Sequence, residues 1–139
     1  MPRGHWLVKS EPSQYAWDDL VRDGRTLWDG VRNPLARSHL AAMRRGDRVL
    51  YYHSGEGRQV VGVARVAGEA RPERSDPRWL AVEIEPVHPL ARAVPLAAIK
   101  ADRSLAALAL VRQPRLSVMP VARPHFDRIL ALGATRPGS

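Results

Sequence analysis

The chain has 139 residues, 45% of them hydrophobic and 26% charged, which suits one folded domain with a real core and is too short for two ordinary ones. The absence of cysteine excludes disulfides, thiolate catalysis and Cys-based zinc, and no apolar run approaches the roughly 20 residues of a membrane span. Net charge is +8, and of the 22 lysines and arginines only Lys9 and Lys100 are lysines, a balance suited to a polyanionic partner and unsuited to a basic partner.

Met1-Pro2-Arg3-Gly4 leads into a first strand without a signal-peptide core, so a soluble, cytoplasmic protein is expected. That strand runs His5 to Ser10, with Trp6, Val8 and Ser10 on one face and Leu7 and Lys9 on the other, and Pro12 ends it. Ser13 is the predicted N-cap of a short helix over Tyr15 to Arg22, with Trp17, Leu20 and Val21 as its apolar stripe and Gly24 as the stop. A loop carries Trp28 to Asn33. Asn33 then caps a second helix that has Pro34 at its first position, buries Ala36, Leu40 and Met43, and stops at Gly46.

From Asp47 the pattern turns to strands: Arg48 to Ser54, Gln59 to Val66 and Trp79 to Val87, the first two joined by the hairpin turn Gly55-Glu56-Gly57-Arg58. In the third, Leu80, Val82 and Ile84 point inward, and Ala81, Glu83 and Glu85 point to solvent. Pro86, Pro89 and Pro95 break up the next segment, with short helices over Leu96 to Lys100 and Leu105 to Val111. Arg115 to Val121 reads as a last strand, with Leu116 and Val118 on the core side. A final helix opens at Pro124, buries Phe126, Ile129 and Leu130 and stops at Gly133, before a disordered tail from Thr135 to Ser139. Strands mixed with short helices, without βαβ alternation, predict an α+β fold: a small mixed β-barrel flanked by helices, in a single domain spanning 1–139 with its core over about 5–133.

Four segments stand out as one candidate site: Lys9-Ser10-Glu11-Pro12, Trp28 to Asn33, Tyr51-Tyr52-His53-Ser54, and Arg112 to Ser117. Together they gather flat rings, hydrogen-bonding side chains and cations, the chemistry of a pocket for a planar polar ligand such as a nucleobase. Trp28 reads either as a stacking platform or as a core tryptophan, and Asn33 either as a reader of a base edge or simply as the helix cap. Ser10, Ser54 and Ser117 are short donors and acceptors suited to exocyclic groups, or plain turn residues. Arg32, Arg37 and Arg115 suit flanking phosphates, or are ordinary surface charge. His53 and Ser54 are adjacent in a strand and point to opposite faces, which argues against a nucleophilic pair, and no G-x-S-x-G elbow is present. The five histidines have no metal-ligand spacing, so neither metal nor cofactor is expected.

Trp6-Leu7-Val8-Lys9-Ser10-Glu11-Pro12, paired with Trp28-Asp29-Gly30-Val31-Arg32-Asn33, resembles the EVE domain, a branch of the PUA-like superfamily related to YTH domains. The likeness covers about residues 5 to 133. It implies a PUA-like barrel whose pocket takes a modified base, most of all a modified cytosine in DNA, with RNA or a free modified nucleotide as alternative partners; a monomer with no membrane partner is expected. Carried over by motif, Lys9, Ser10, Trp28, Arg32, Asn33, Tyr52, His53, Ser54, Arg115 and Ser117 would line or border that pocket. The chain departs from the family after Asn33, where Tyr-Gln-Ala-Arg-Asn is usual and Pro34-Leu35-Ala36-Arg37-Ser38 stands here. The expected function is non-enzymatic recognition of a modified base. The rival is a small hydrolase or deaminase acting on a modified nucleoside through Lys9 and Glu11, since some PUA-like relatives are amidohydrolases.

Overall fold

The structure is a computed structural model that describes residues 4–55 and 57–136. The reading of the first three residues, Glu56 of the expected hairpin turn and residues 137–139 of the expected tail lie outside the described residues. Six strands, β1 (His5–Ser10), β2 (Thr26–Trp28), β3 (Arg48–His53), β4 (Gln59–Pro72), β5 (Leu80–Pro95) and β6 (Val118–Pro120), form one mixed sheet in the order β2-β5-β4-β3-β1-β6. Every pairing is antiparallel except that of β1 with β3. The sheet curls into a half-barrel with the short helices α1 (Trp17–Asp23), α2 (Pro34–Ala42), α3 (Leu96–Ala101), α4 (Ala109–Arg112) and α5 (Arg123–Leu132) around it, the PUA-like α+β fold that the sequence implies.

The curl has a local cause. Opposite β5, β4 shifts register between Val60 and Gly62, between Val63 and Ala64, between Val66 and Gly68, and between Gly68 and Arg71. Each such irregularity adds twist and bends the ribbon. At Gly62 the bend is also where Trp17 of α1 lies against the sheet, so close that a Cβ on Gly62 would meet the indole at 2.7 Å. Only glycine permits that approach.

The core is continuous across the concave face, with Leu7, Leu20, Leu40, Leu50, Tyr51, Ile84, Met119 and Ile129 all essentially inaccessible. Among its polar members, the Asp47 carboxylate accepts from Gly4 N–H, from the Trp6 indole N–H at 2.9 Å and from Arg44 N–H, tying the start of β1 to the turn before β3. These three bonds meet the demand that a buried carboxylate be fully satisfied.

Several expectations are corrected. The first helix begins later than expected, at Trp17: Ser13 is not its cap, and the Asp19 carboxylate instead accepts the Ala16 N–H at 2.8 Å. Val21, placed on the apolar stripe, is 52% exposed, because a helix of 7 residues buries only Trp17 and Leu20. Trp28, expected in a loop, instead ends a strand, Thr26–Trp28, that pairs with β5. Ala81 is fully buried rather than facing solvent, since helices as well as strands pack on β5 and both faces are covered there. The three prolines do not end that strand: Pro86, Pro89 and Pro95 stand opposite Ala64, Gly62 and Gln59 within it. The last strand is shorter than expected, Val118–Pro120. Thr135 is fixed in place: its hydroxyl accepts the Ala91 N–H at 2.9 Å and its own N–H reaches Leu130 O.

Replacing Gly62 by Ala overpacks the Trp17 contact, and a loss of about 1–3 kcal/mol is expected in denaturant unfolding, with a shifted tryptophan emission in the folded state. An unchanged midpoint and emission would show that the indole is not seated on this strand.

Candidate nucleic-acid interface

The two edges of the sheet, β2 and β6, have four strands between them in hydrogen-bonding order, yet one cleft of about 530 Å³ is lined from β2 and from the segment leading into β6. Thr26, Leu27 and Trp28 come from β2, Arg115 and Ser117 from the segment leading into β6, and Lys9, Ser10 and Ser54 from the ends of β1 and β3. The curl of the half-barrel is what brings them together, and the volume is that of a pocket for a small planar ligand.

Trp28 is half-buried. Its indole packs edge-on against Tyr51, ring centres 5.5 Å apart at 84°, and the rest of the ring lines the cleft. It thus serves the core and the cavity together. Tyr51 is buried behind it, its hydroxyl donating to Tyr15 O at 2.7 Å, and burial raises its pKa far above the ordinary phenol value, so it remains a neutral donor.

The loop after Trp28 is held from below. Glu73, 5% exposed, accepts the Gly30 N–H at 2.9 Å and takes the Arg32 guanidinium as a fork, Nη1 to Oε2 at 2.8 Å and Nη2 to Oε1 at 2.9 Å. Gly30 adopts φ +77°, a conformation costly for any residue with a Cβ, and this turn presents its N–H to the carboxylate. The Arg32 fork and the Gly30 N–H lower the Glu73 pKa to about 2. Arg32 also lies 5.4 Å from the Trp79 ring centre. The guanidinium lines the cleft, but both its terminal nitrogens bond to Glu73 and Nη1 also to Val31 O, so it acts as a brace for the loop.

The remaining sequence-derived candidates divide. Lys9, Ser10, Ser54, Arg115 and Ser117 join Trp28 and Arg32 around the cleft. Lys9 donates its ammonium to Pro114 O at 2.7 Å and its backbone N–H to Ser117 O, fastening the Arg115 segment to β1. Asn33 is not part of the lining: its side chain accepts the Ala36 N–H at 2.9 Å as the cap of α2, and Pro34 opens that helix. Arg37 donates to Arg78 O. His53 also stands away from the cleft: its Nε2 accepts the Trp17 N–H at 3.0 Å, supplying a partner to the open start of α1. Tyr52, 3% exposed, lines a different hollow.

Glu11, Gln14, Tyr15, Asp29 and Val31 complete the cleft. Glu11 and Asp29 fall inside segments that the sequence singles out. Tyr15 and Gln14 do not, because they were read as the approach to and start of a helix, whereas they form a turn in which both N–H groups bond to Glu11 O at 2.9 Å. Lys9 and Glu11 both line the cleft, but no ion pair joins them among the described residues, and the Lys9 ammonium goes to Pro114 O.

Comparison with known proteins assigns the family. The EVE domain model matches residues 4–132. The chain belongs to the EVE domain family. This EVE domain is 29% identical to human thymocyte nuclear protein 1 over 169 aligned residues, covering 96% of the chain and 75% of that protein. Its fold superposes on an NMR structure from Rhodopseudomonas palustris with a TM-score of 0.91 at 44% identity, covering 94% and 93% of the two chains. It also superposes on the crystal structure of human THYN1 protein in complex with DNA containing 5-methylcytosine, with a TM-score of 0.88 at 29% identity, covering 96% and 99%.

Burial holds His5, His39 and His53 below their ordinary 6.5, so as pH falls the unfolded chain takes up protons before the folded one does. Stability from these groups is therefore complete above about pH 6.5 and declines as pH drops through their folded values. A second decline is expected below 4.5, as Glu73 is protonated on the way to its folded value of about 2. Melting temperature followed against pH tests this, and His53→Gln, which keeps an acceptor for Trp17 N–H and does not titrate, should shrink the first decline. An unchanged profile in that variant would show that His53 takes no part.

Proposed function

We propose that this EVE domain is a non-enzymatic nucleic-acid-binding module that encloses a modified base, 5-methylcytosine in DNA being the best candidate. The observation that carries the reading is the cleft itself, which a half-buried indole borders while hydroxyls, carboxylates and cations surround it. A base taken out of its stack needs a ring to lie on and edge partners to replace its lost pairing. Trp28 supplies the first.

The mixture of charges favours a cytosine. Its Watson–Crick edge combines an exocyclic amine, which donates, with a ring nitrogen and carbonyl, which accept. Glu11 and Asp29 are the acceptors suited to the amine, and Ser10, Ser117 and Gln14 are donors suited to the acceptor positions. A 5-methyl group needs an apolar wall, for which Leu27 and Val31 are at hand. The net charge of +8 favours a polyanion over a neutral nucleoside. The human THYN1 protein, with the same fold at 29% identity, has been crystallised with DNA containing 5-methylcytosine.

The test is binding of fluorescein-labelled single-stranded oligonucleotides, each with one cytosine or one 5-methylcytosine, at fixed salt. Wild-type protein is expected to prefer the methylated strand. Trp28→Ala should weaken methylated binding by about 5- to 150-fold, the equivalent of the roughly 1–3 kcal/mol lost with one base-on-aromatic contact. Trp28→Phe, which keeps a ring against Tyr51, should retain the preference. Equal affinity of the wild type for both strands, or an undiminished preference in Trp28→Ala, would refute the reading.

A further inference from the structure

Beside the Trp28 cleft lies a second hollow of about 300 Å³, and the two share Lys9 and Ser54 as a common wall. Its character differs. The cleft mixes cations with Glu11 and Asp29, whereas the second hollow has three cations, Lys9, Arg58 and Lys100, and no carboxylate among its described lining residues. Arg58 and Lys100 are both exposed, and neither has a carboxylate partner among the described residues. Three arginines on or beside this sheet are spent: Arg25 on Glu83 and Glu85, Arg32 on Glu73, Arg65 on Glu85. Three cations left together around a concavity repel one another, and an anion between them relieves that repulsion.

Two further observations point the same way. Tyr52 is 3% exposed, its side chain lines this hollow, and its hydroxyl, with no protein partner among the described residues, is open to it. A phenol so placed can donate its O–H to an acceptor held in the hollow. Lys9 Nζ lies 5.8 Å from the centre of the same ring. Arg58 sits in the left-handed region at φ +23°, directly after Gly57 at φ +88°, and its carbonyl is held by the Leu96 N–H at 2.8 Å. Glycine or asparagine is the less strained choice there, so the chain keeps an arginine where backbone preference disfavours it.

We propose that this second hollow is a phosphate subsite, filled by a phosphate flanking the base held at Trp28, with Lys9, Arg58 and Lys100 supplying charge and the Tyr52 hydroxyl a hydrogen bond. The proposal rests on the reading of the Trp28 cleft as a base pocket, and the shared Lys9 and Ser54 wall gives it its geometry: one nucleotide places its base on one side and its phosphate on the other. Lys9, fixed by Pro114 O, then borders both groups of the same ligand. The phosphate comes either from the backbone of a polynucleotide or from a nucleoside monophosphate.

The experiment uses the doubly substituted Arg58→Gln/Lys100→Gln protein, Tyr52→Phe, and a control, Arg44→Gln/Arg45→Gln, which removes the same charge near the opposite end of β3. Affinity for methylated and plain single strands is measured across a salt series. Loss of this one phosphate contact should flatten the slope of log affinity against log salt by about 0.7 for a single strand, lower affinity at low salt, and leave the ratio of methylated to plain binding intact. Tyr52→Phe should weaken binding without changing the slope. The control should do much less than the subsite variant. An unchanged slope in Arg58→Gln/Lys100→Gln, or an equal change in the control, overturns the subsite.

The two readings fail separately. A wild type without preference for the methylated strand, but with a slope that flattens in the subsite variant, refutes the base pocket and keeps the phosphate site. A preference that survives with an unchanged slope does the reverse. Binding of 5-methyl-2′-deoxycytidine and of its 3′- and 5′-monophosphates identifies the source. Tighter binding of either monophosphate, abolished in Arg58→Gln/Lys100→Gln, assigns the site to a free or terminal phosphate; a gain for the oligonucleotide alone assigns it to the backbone diester. A gain for neither counts against the proposal.

Discussion

The grip of one buried carboxylate on a turn governs the rest of the site. Glu73 lies in the connection between β4 and β5, and it holds Gly30 and Arg32 in the loop after β2. β2 is only three residues long and pairs with β5 through Thr26, Leu27 and Trp28 alone, so its ladder is too short to fix the adjoining loop. A short edge strand with a free loop would fray. The fork between Arg32 and Glu73 replaces that missing ladder, and the ring of Trp28 keeps its bearing because the chain on its far side is tied down. The arginine that sequence reasoning offers to phosphate is consumed in building the wall that the base would meet.

The opposite wall is fastened by different means. Lys9 bonds through both its backbone and its ammonium to the segment preceding β6, and Ser54 N–H bonds to Ser10 O where the parallel strands β1 and β3 end together. The parallel pairing matters here. It brings the C-terminal ends of β1 and β3 side by side, so Lys9-Ser10 and Tyr52-His53-Ser54 lie at one rim. Period-two alternation then sends neighbours to different places: His53 to the start of α1, Tyr52 to the second hollow, and Ser54, beyond the strand, to the boundary of both.

The sequence was most legible where a single local rule acts alone. The strand His5–Ser10, the cap Asn33 before Pro34, the stop at Gly24 and the helix carrying Phe126, Ile129 and Leu130 all come from alternation, capping or helical spacing. It was least legible where tertiary contacts decide. β2 carries no periodic signal in three residues and exists because Val82 to Ile84 offer it a ladder. β5 runs through three prolines, paired with Ala64, Gly62 and Gln59 of β4, where the local breaker signal alone predicts an end. Glu73 reads as one more charge in a polar connection, and nothing near it in the chain announces partners 41 and 43 residues away. The motif around Trp28 locates the cleft; Tyr15, whose place depends on where α1 starts, stayed hidden behind a misplaced cap.

The prolines of β5 bear also on how this molecule keeps to itself. β2 covers the outer margin of β5 only at Val82 to Ile84, and among the described residues the long remainder has no strand neighbour on that side. Such a margin is ordinarily a template on which another copy can lay down a strand. Pro86, Pro89 and Pro95 offer no amide hydrogen, and the N–H groups of Ala91 and Arg92 are already claimed by Thr135 Oγ1 and Gly133 O from the turn after α5. A ribbon so depleted of donors is a poor seed for intermolecular sheet growth.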